Sequence, residues 1–131
     1  MKTTMETGWF GRTVSMRVGP NEDITEAIEQ ACREHGLTYA MVRGGIGSLS
    51  VAAFVAAPGQ PLVEVTGIAI ELLTLVGEVR PGDDGSARAT LCGSVGDPEG
   101  RVFGGRFVRG ANPVCVTMEI VLQEWVPTPA A

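Results

Sequence analysis

From Val114 to Val126 the chain alternates almost without a break. Val114, Val116, Met118, Ile120 and Leu122 share one parity, and Cys115, Thr117, Glu119, Val121 and Gln123 share the other. A period of two places successive side chains on opposite faces of an extended chain, so this spacing predicts a strand with an apolar face to bury. Such a strand is stable only inside a sheet, and the rest of the sequence has to supply its neighbours.

The clearest neighbours lie in Ser86 to Arg109, which reads as two strands joined by a tight Asp97-Pro98-Glu99-Gly100 connection, with Gly104-Gly105 placed just before Arg106. Upstream, Arg12 to Val18 alternates Val14, Met16 and Val18 against polar residues, and Gly19-Pro20-Asn21 stops it. Thr38 to Arg43 and Ser48 to Ala57 read as two more strands. The Gly44-Gly45-Ile46-Gly47 run between them is a turn or bulge: its spacing is not G-x-G-x-x-G, and no helix follows it to present amides to a phosphate. Leu62 to Thr66 is a short strand after the Pro58–Pro61 turn, and Ile68 to Val79 is a longer one with Glu71 near its beginning. Pro81 to Gly85 is an exposed loop.

One segment carries helical spacing. Asp23 and Glu26 stand at N-cap and third positions, and Ile24, Ile28, Ala31 and Cys32 recur on one face. Gly36 lies where a C-cap is expected. Glu26, Glu29, Gln30 and Arg33 form the opposite face, expected to meet solvent. His35 sits at the helix end, where an imidazolium would be favoured by the dipole; the competing role, a general base or ligand, finds no partner nearby in sequence. One helix and about seven strands joined by short turns make an α+β fold with a mostly antiparallel sheet. Residues 1–131 form a single domain, with its core from about 12 to 125 and a frayed tail over 127–131.

Composition narrows the function. Hydrophobic residues make up 44% of the 131 residues and charged ones 19%, which excludes disorder, and no apolar run is long enough to span a bilayer. The N-terminal residues lack the apolar core of a secretory signal, so a cytoplasmic location is expected. The three cysteines, Cys32, Cys92 and Cys115, are odd in number and show no C-x-x-C spacing, as reduced thiols would. A formal charge of −5 works against nucleic-acid binding. Basic residues are almost all arginine, with Lys2 the one lysine, and Arg80, Arg88, Arg101, Arg106 and Arg109 fall in the second half; planar guanidinium groups suit carboxylate or phosphate recognition, or ion pairs between subunits.

Five segments carry a family resemblance: RVGPNEDITEAI, RGGIGSL, ELLTLVG, GDPEGRVFGG and VTMEIVL, in this order from about Arg12 to Trp125. Together they resemble the PPC (plants and prokaryotes conserved) domain. The resemblance implies an α+β domain that assembles as a homotrimer through its sheets. It also implies a DNA-binding label, which bacterial members carry because the plant domain follows AT-hooks; no R-G-R-P run occurs here.

Many prokaryotic members carry an H-x-H pair on the first strand of the hairpin and a further histidine after the Gly-Gly, a set suited to a metal ion. This sequence places Thr90, Cys92 and Arg106 there. A hydroxyl, a lone thiol and a guanidinium do not make a metal site, so neither a metal nor another cofactor is expected. The resemblance instead points to an anion or small-ligand site of Thr90, Cys92, Gly104, Gly105 and Arg106, with Arg88 on the same strand face and Glu119 matching a glutamate of the family's last strand. Arg106 and Glu119 could equally form an ion pair at a subunit contact. Cys92 beside an arginine is a candidate nucleophile, without a histidine base in reach of it in sequence, so whether the protein is an enzyme stays open.

Overall fold

The computed structural model describes residues 1–129. Along the chain run β1 (Gly8–Val18), α1 (Ile24–His35), β2 (Ala40–Val55), β3 (Val63–Pro81), β4 (Ala87–Gly96), β5 (Val102–Phe107) and β6 (Val114–Pro127). The strands form one antiparallel sheet in the order β1-β6-β2-β3-β4-β5, and β5 also bonds back to the end of β2 through Phe54–Phe107 and Val55–Arg106. This second pairing closes β2 to β5 into a barrel, with β6 and β1 extending from β2 as a flap.

The sheet has six strands rather than about seven because two expected breaks are bulges. Gly44 to Gly47 does not interrupt β2: the register against β6 shifts between Val42 and Gly44 and again between Gly47 and Leu49, and the strand continues. Leu62–Thr66 and Ile68–Val79 likewise merge into β3, with a register shift opposite Leu49 to Val51. Glu71 is therefore in the middle of its strand, exposed, and not at its start. Bulges bend the strand that carries them, which is how a sheet of long strands curls far enough to meet itself.

Why Gly47 is glycine follows from the same bend. A Cβ there would lie 2.1 Å from the Thr117 carbonyl oxygen, so only a residue without one lets β2 approach β6. At the second shift β6 spends Val114 to Met118 against Gly47 to Leu49 of β2. The extra residues reverse the parity locally. Val116, expected on the buried face with Val114, Met118, Ile120 and Leu122, is 64% exposed, while the other four are in the core.

Asp23 caps α1 by accepting the Glu26 amide at 3.0 Å, and Gly36 ends it in the left-handed region at φ 66°. The last carbonyls accept from the amides of Gly36 and Leu37, so backbone groups make the C-cap. The His35 carbonyl accepts from Arg12 Nη1 at 2.9 Å. Ile24, Ile28 and Cys32 enter the core, where α1 lies against β4 and β1. Glu29, expected on the wet face, is instead 1% exposed: its carboxylate accepts Arg109 Nε at 2.7 Å and the Ala89 amide at 3.1 Å.

β1 begins at Gly8, earlier than Arg12, and pairs there with Pro127. The expected frayed tail is ordered at its start, since Thr128 donates to the Thr7 carbonyl at 2.7 Å; residues 130–131 of it lie outside the described residues.

Candidate functional site on the outer sheet face

β4 and β5 each turn one parity inward. Leu91, Val95 and Phe107 are buried, which sends Arg88, Thr90, Cys92 and Ser94 of β4, and Val102, Gly104 and Arg106 of β5, to the outer face. Cys92 and Arg106 are direct cross-strand partners. Such neighbours have Cβ atoms about 5 Å apart, so a thiol and a guanidinium adjoin, with Thr90 next along β4. Thr74 and Ser94 continue this polar strip, their hydroxyls 2.8 Å apart. Arg106 has no ion-pair partner among the described residues, in contrast to Arg12, Arg17, Arg80, Arg101 and Arg109.

The other expected site residues do not join this group within one chain. Glu119 is the cross-strand partner of Arg17 and Ile46, and Arg17 Nη2 holds its carboxylate at 2.6 Å. Arg106 pairs with Val55 and Glu119 with Ile46, positions nine residues apart along β2, a contour of roughly 30 Å at about 3.3 Å per residue. Any contact between Arg106 and Glu119 therefore needs a second copy. Arg88 lies against Gly82, where an added Cβ would meet its Cγ at 2.7 Å, beside the Asp83-Asp84 loop. Gly104 and Gly105 have a structural reason to lack a side chain. Their absent Cβ positions face the carbonyl oxygens of Gly93 and Val55 at 2.8 and 2.9 Å, so they serve the closure of β5 onto β4 and β2.

The turn at the hairpin's tip is built on Asp97. Its carboxylate accepts the amides of Glu99 and Arg101 at 3.0 and 2.8 Å and Arg101 Nε at 2.6 Å. Desolvation pushes this carboxyl upward, but the Arg101 amide and guanidinium together outweigh it and leave it below the ordinary range.

A second polar group was missed by sequence reasoning. Arg17, Arg43, Gly44, Gly45, Ile46 and Glu119 line a concavity of about 910 Å³ between β1, β6 and β2. Arg43 is exposed and unpaired among the described residues, and the Arg17–Glu119 pair forms the opposite rim. Nothing local marks Arg43, because the concavity exists only where the Gly44 bulge bends β2 away.

Among the described residues no three His, Cys, Asp or Glu side chains are placed to hold a metal ion, and no helix is long and apolar enough to cross a membrane. All three cysteines are free thiols. Burial pushes the Cys32 thiol up to about 11.

A partly closed antiparallel sheet with one packed helix, and an outer face of arginine, hydroxyl and thiol groups, defines a small single-helix α+β domain. The family model of the Plants and Prokaryotes Conserved (PCC) domain matches residues 5–126, and the chain belongs to this family, the one its five segments resemble. A plant- and prokaryote-conserved protein of Pyrococcus horikoshii superposes with a TM-score of 0.77 at 31% identity, over 96% of this chain and 85% of that one. A metal-containing protein of Archaeoglobus fulgidus shares the fold at 0.74 and 18% identity, over 95% and 87%. A Bacteroides thetaiotaomicron protein provisionally described as DNA-binding does so at 0.75 and 14%, over 89% and 83%. No curated protein matches the chain.

Proposed function

We propose that this PCC-domain protein is a homotrimeric binding protein that holds a small carboxylate or phosphate at the position of the family's three-histidine metal site, with Arg106 as anchor and Thr90 and Cys92 beside it. The observation that carries the reading is the register of Cys92 against Arg106 on an exposed face, with the guanidinium unpaired among the described residues. An unpaired arginine on a rigid strand pair is pre-set for charge-assisted hydrogen bonds to an anion. Assembly is supported by the apolar side chains on the same sheet surface, among them Ile46 at 78% and Val76 at 61% exposed, which a monomer would leave in water.

Calorimetric titration of phosphate and citrate into the wild type and Arg106→Gln, with the mass in solution measured by light scattering, tests the reading. Saturable binding lost in Arg106→Gln, with a trimer mass retained, is the expected result. A fall in trimer mass with unchanged anion binding would replace the ligand role by an intersubunit ion pair. Arg43→Gln is the second arm, because the concavity beside it offers another guanidinium unpaired among the described residues; loss of binding there and not in Arg106→Gln would move the site to β2.

DNA binding is the alternative that the label of the Bacteroides protein suggests. The charge of −5 disfavours it. Anisotropy of a labelled duplex at low and moderate salt decides: binding at low salt that falls steeply with added salt favours DNA. A metabolite enzyme on the same face would need a proton acceptor near Cys92, and His35, the one histidine, is at the end of α1.

A further inference from the structure

Only seven residues of the chain are aromatic, and three of them meet away from the core. Phe10 and Trp125 are cross-strand partners on β1 and β6, with ring centroids 5.3 Å apart and planes at 66°. Tyr39, just before β2, is fixed beside them by the Trp125 amide, which donates to its carbonyl at 3.0 Å. These rings are not core filling. Phe54 and Phe107 are buried, whereas Phe10 is 50% exposed and Tyr39 and Trp125 are half-buried.

Together with Glu6, Glu78 and Arg80 the three rings line a cleft of about 250 Å³. Arg80 is taken up by Glu78, Nε to Oε1 at 3.1 Å. Glu6 has no ion-pair partner among the described residues, so the cleft carries one uncompensated negative charge. Aromatic faces and a carboxylate attract the same kind of guest, a weakly hydrated cation, since the ring quadrupole is negative on its face and a carboxylate completes the field.

We infer that this cleft binds a methylated ammonium group, the cation of a small quaternary amine. A compact, strongly hydrated ammonium would lose more water than three rings replace. The methylated head is apolar on its surface, carries one charge and fits a cleft of this size. The rings come from β1, β6 and the residue just before β2, and neither Arg106 nor Cys92 lines the cleft, although its Glu78 is the cross-strand partner of Thr90.

The indole N–H of Trp125 supplies the readout: it is buried with no hydrogen-bond partner, so its proton resonance reports on the cleft. Choline and its neutral isostere 3,3-dimethylbutan-1-ol are titrated into the ¹⁵N-labelled protein. Choline is expected to shift the Trp125 indole and the Phe10 and Tyr39 amides saturably, and the alcohol to bind at least about threefold more weakly, the size of a single exposed cation–π contact. Phe10→Leu, which keeps an apolar side chain but no π face, and Glu6→Gln should each weaken choline by about two- to fivefold. A trimethyllysine peptide is the further arm: binding tighter than choline assigns a protein-borne cation, and equal or weaker binding assigns the free amine. Equal shifts with the neutral alcohol, unchanged affinity in both variants, or shifts confined to other residues would each overturn the inference. Neither variant touches Arg106, so failure here leaves the anion titration to stand or fall separately.

Discussion

Arg109 Nε reaches the buried carboxylate of Glu29 at 2.7 Å, and the carboxylate's other oxygen takes the Ala89 amide at 3.1 Å, so one side chain ties α1 to β4 and to the segment after β5. Removing it leaves the partly buried Ala89 amide without its acceptor and Arg109 without its main partner. Glu29→Ala is expected to destabilise the fold by about 3 kcal/mol, and Glu29→Gln, which keeps an acceptor and the volume, by about half of that. Urea unfolding followed by circular dichroism measures both; equal values would mean that the Ala89 bond contributes little.

The carboxyls of Asp97 and Glu124 are both held below their ordinary values, the first against desolvation by the Arg101 amide and guanidinium, the second chiefly by the Arg12 guanidinium. A depressed folded pKa means that the unfolded chain takes up the proton first as pH falls. Their contribution is therefore complete above the ordinary carboxylate range and is lost as pH drops through the folded values. Stability should be flat from about pH 5 upward with respect to these groups and fall below about pH 4. An Asp97→Asn/Glu124→Gln variant should start less stable at neutral pH and lose less on acidification, as melting curves across pH 3 to 7 would record.

Glycines 47 and 96 should respond in opposite ways. An added Cβ at Gly47 collides with the Thr117 carbonyl, whereas at Gly96 it meets only Leu73 at 3.6 Å, an ordinary contact. Gly47→Ala is expected to cost roughly 1–3 kcal/mol or more as β2 is pushed off β6. Gly96→Ala should be neutral or stabilise by up to about 1 kcal/mol through the unfolded chain. Thermal melts of the two variants side by side check the contrast.

Cysteine reactivity offers a test by mass spectrometry. Cys32 is buried in the core and its thiol is held protonated by burial, while Cys92 and Cys115 are partly exposed. Brief treatment of the native protein with iodoacetamide at neutral pH should label Cys92 and Cys115 and spare Cys32, and all three should label in denaturant. If assembly covers the outer face, Cys92 should be slower in the trimer than in a diluted sample.

What the sequence determined by itself was local. The alternation of β6, the hairpin around Asp97 and Gly100, and the Asp23 and Gly36 caps of α1 depend on residues a few positions apart, and each has a periodicity or a backbone requirement that shows in one short stretch. Family membership was legible for a similar reason, since five ordered segments carry it. Tertiary structure decided whatever depends on register between distant strands. The Gly44 to Gly47 run reads equally as a break or a bulge until β6 is laid beside it, and that choice set the number of strands and turned Val116 outward. Glu119 met Arg17 rather than Arg106 because β1 pairs with β6 in that register, and Glu29 went inside because Arg109 and the Ala89 amide were there to receive its charge. The gathering of Phe10, Tyr39 and Trp125 belongs to the same class: it brings together residues from three separate parts of the chain, and only strand pairing makes them neighbours.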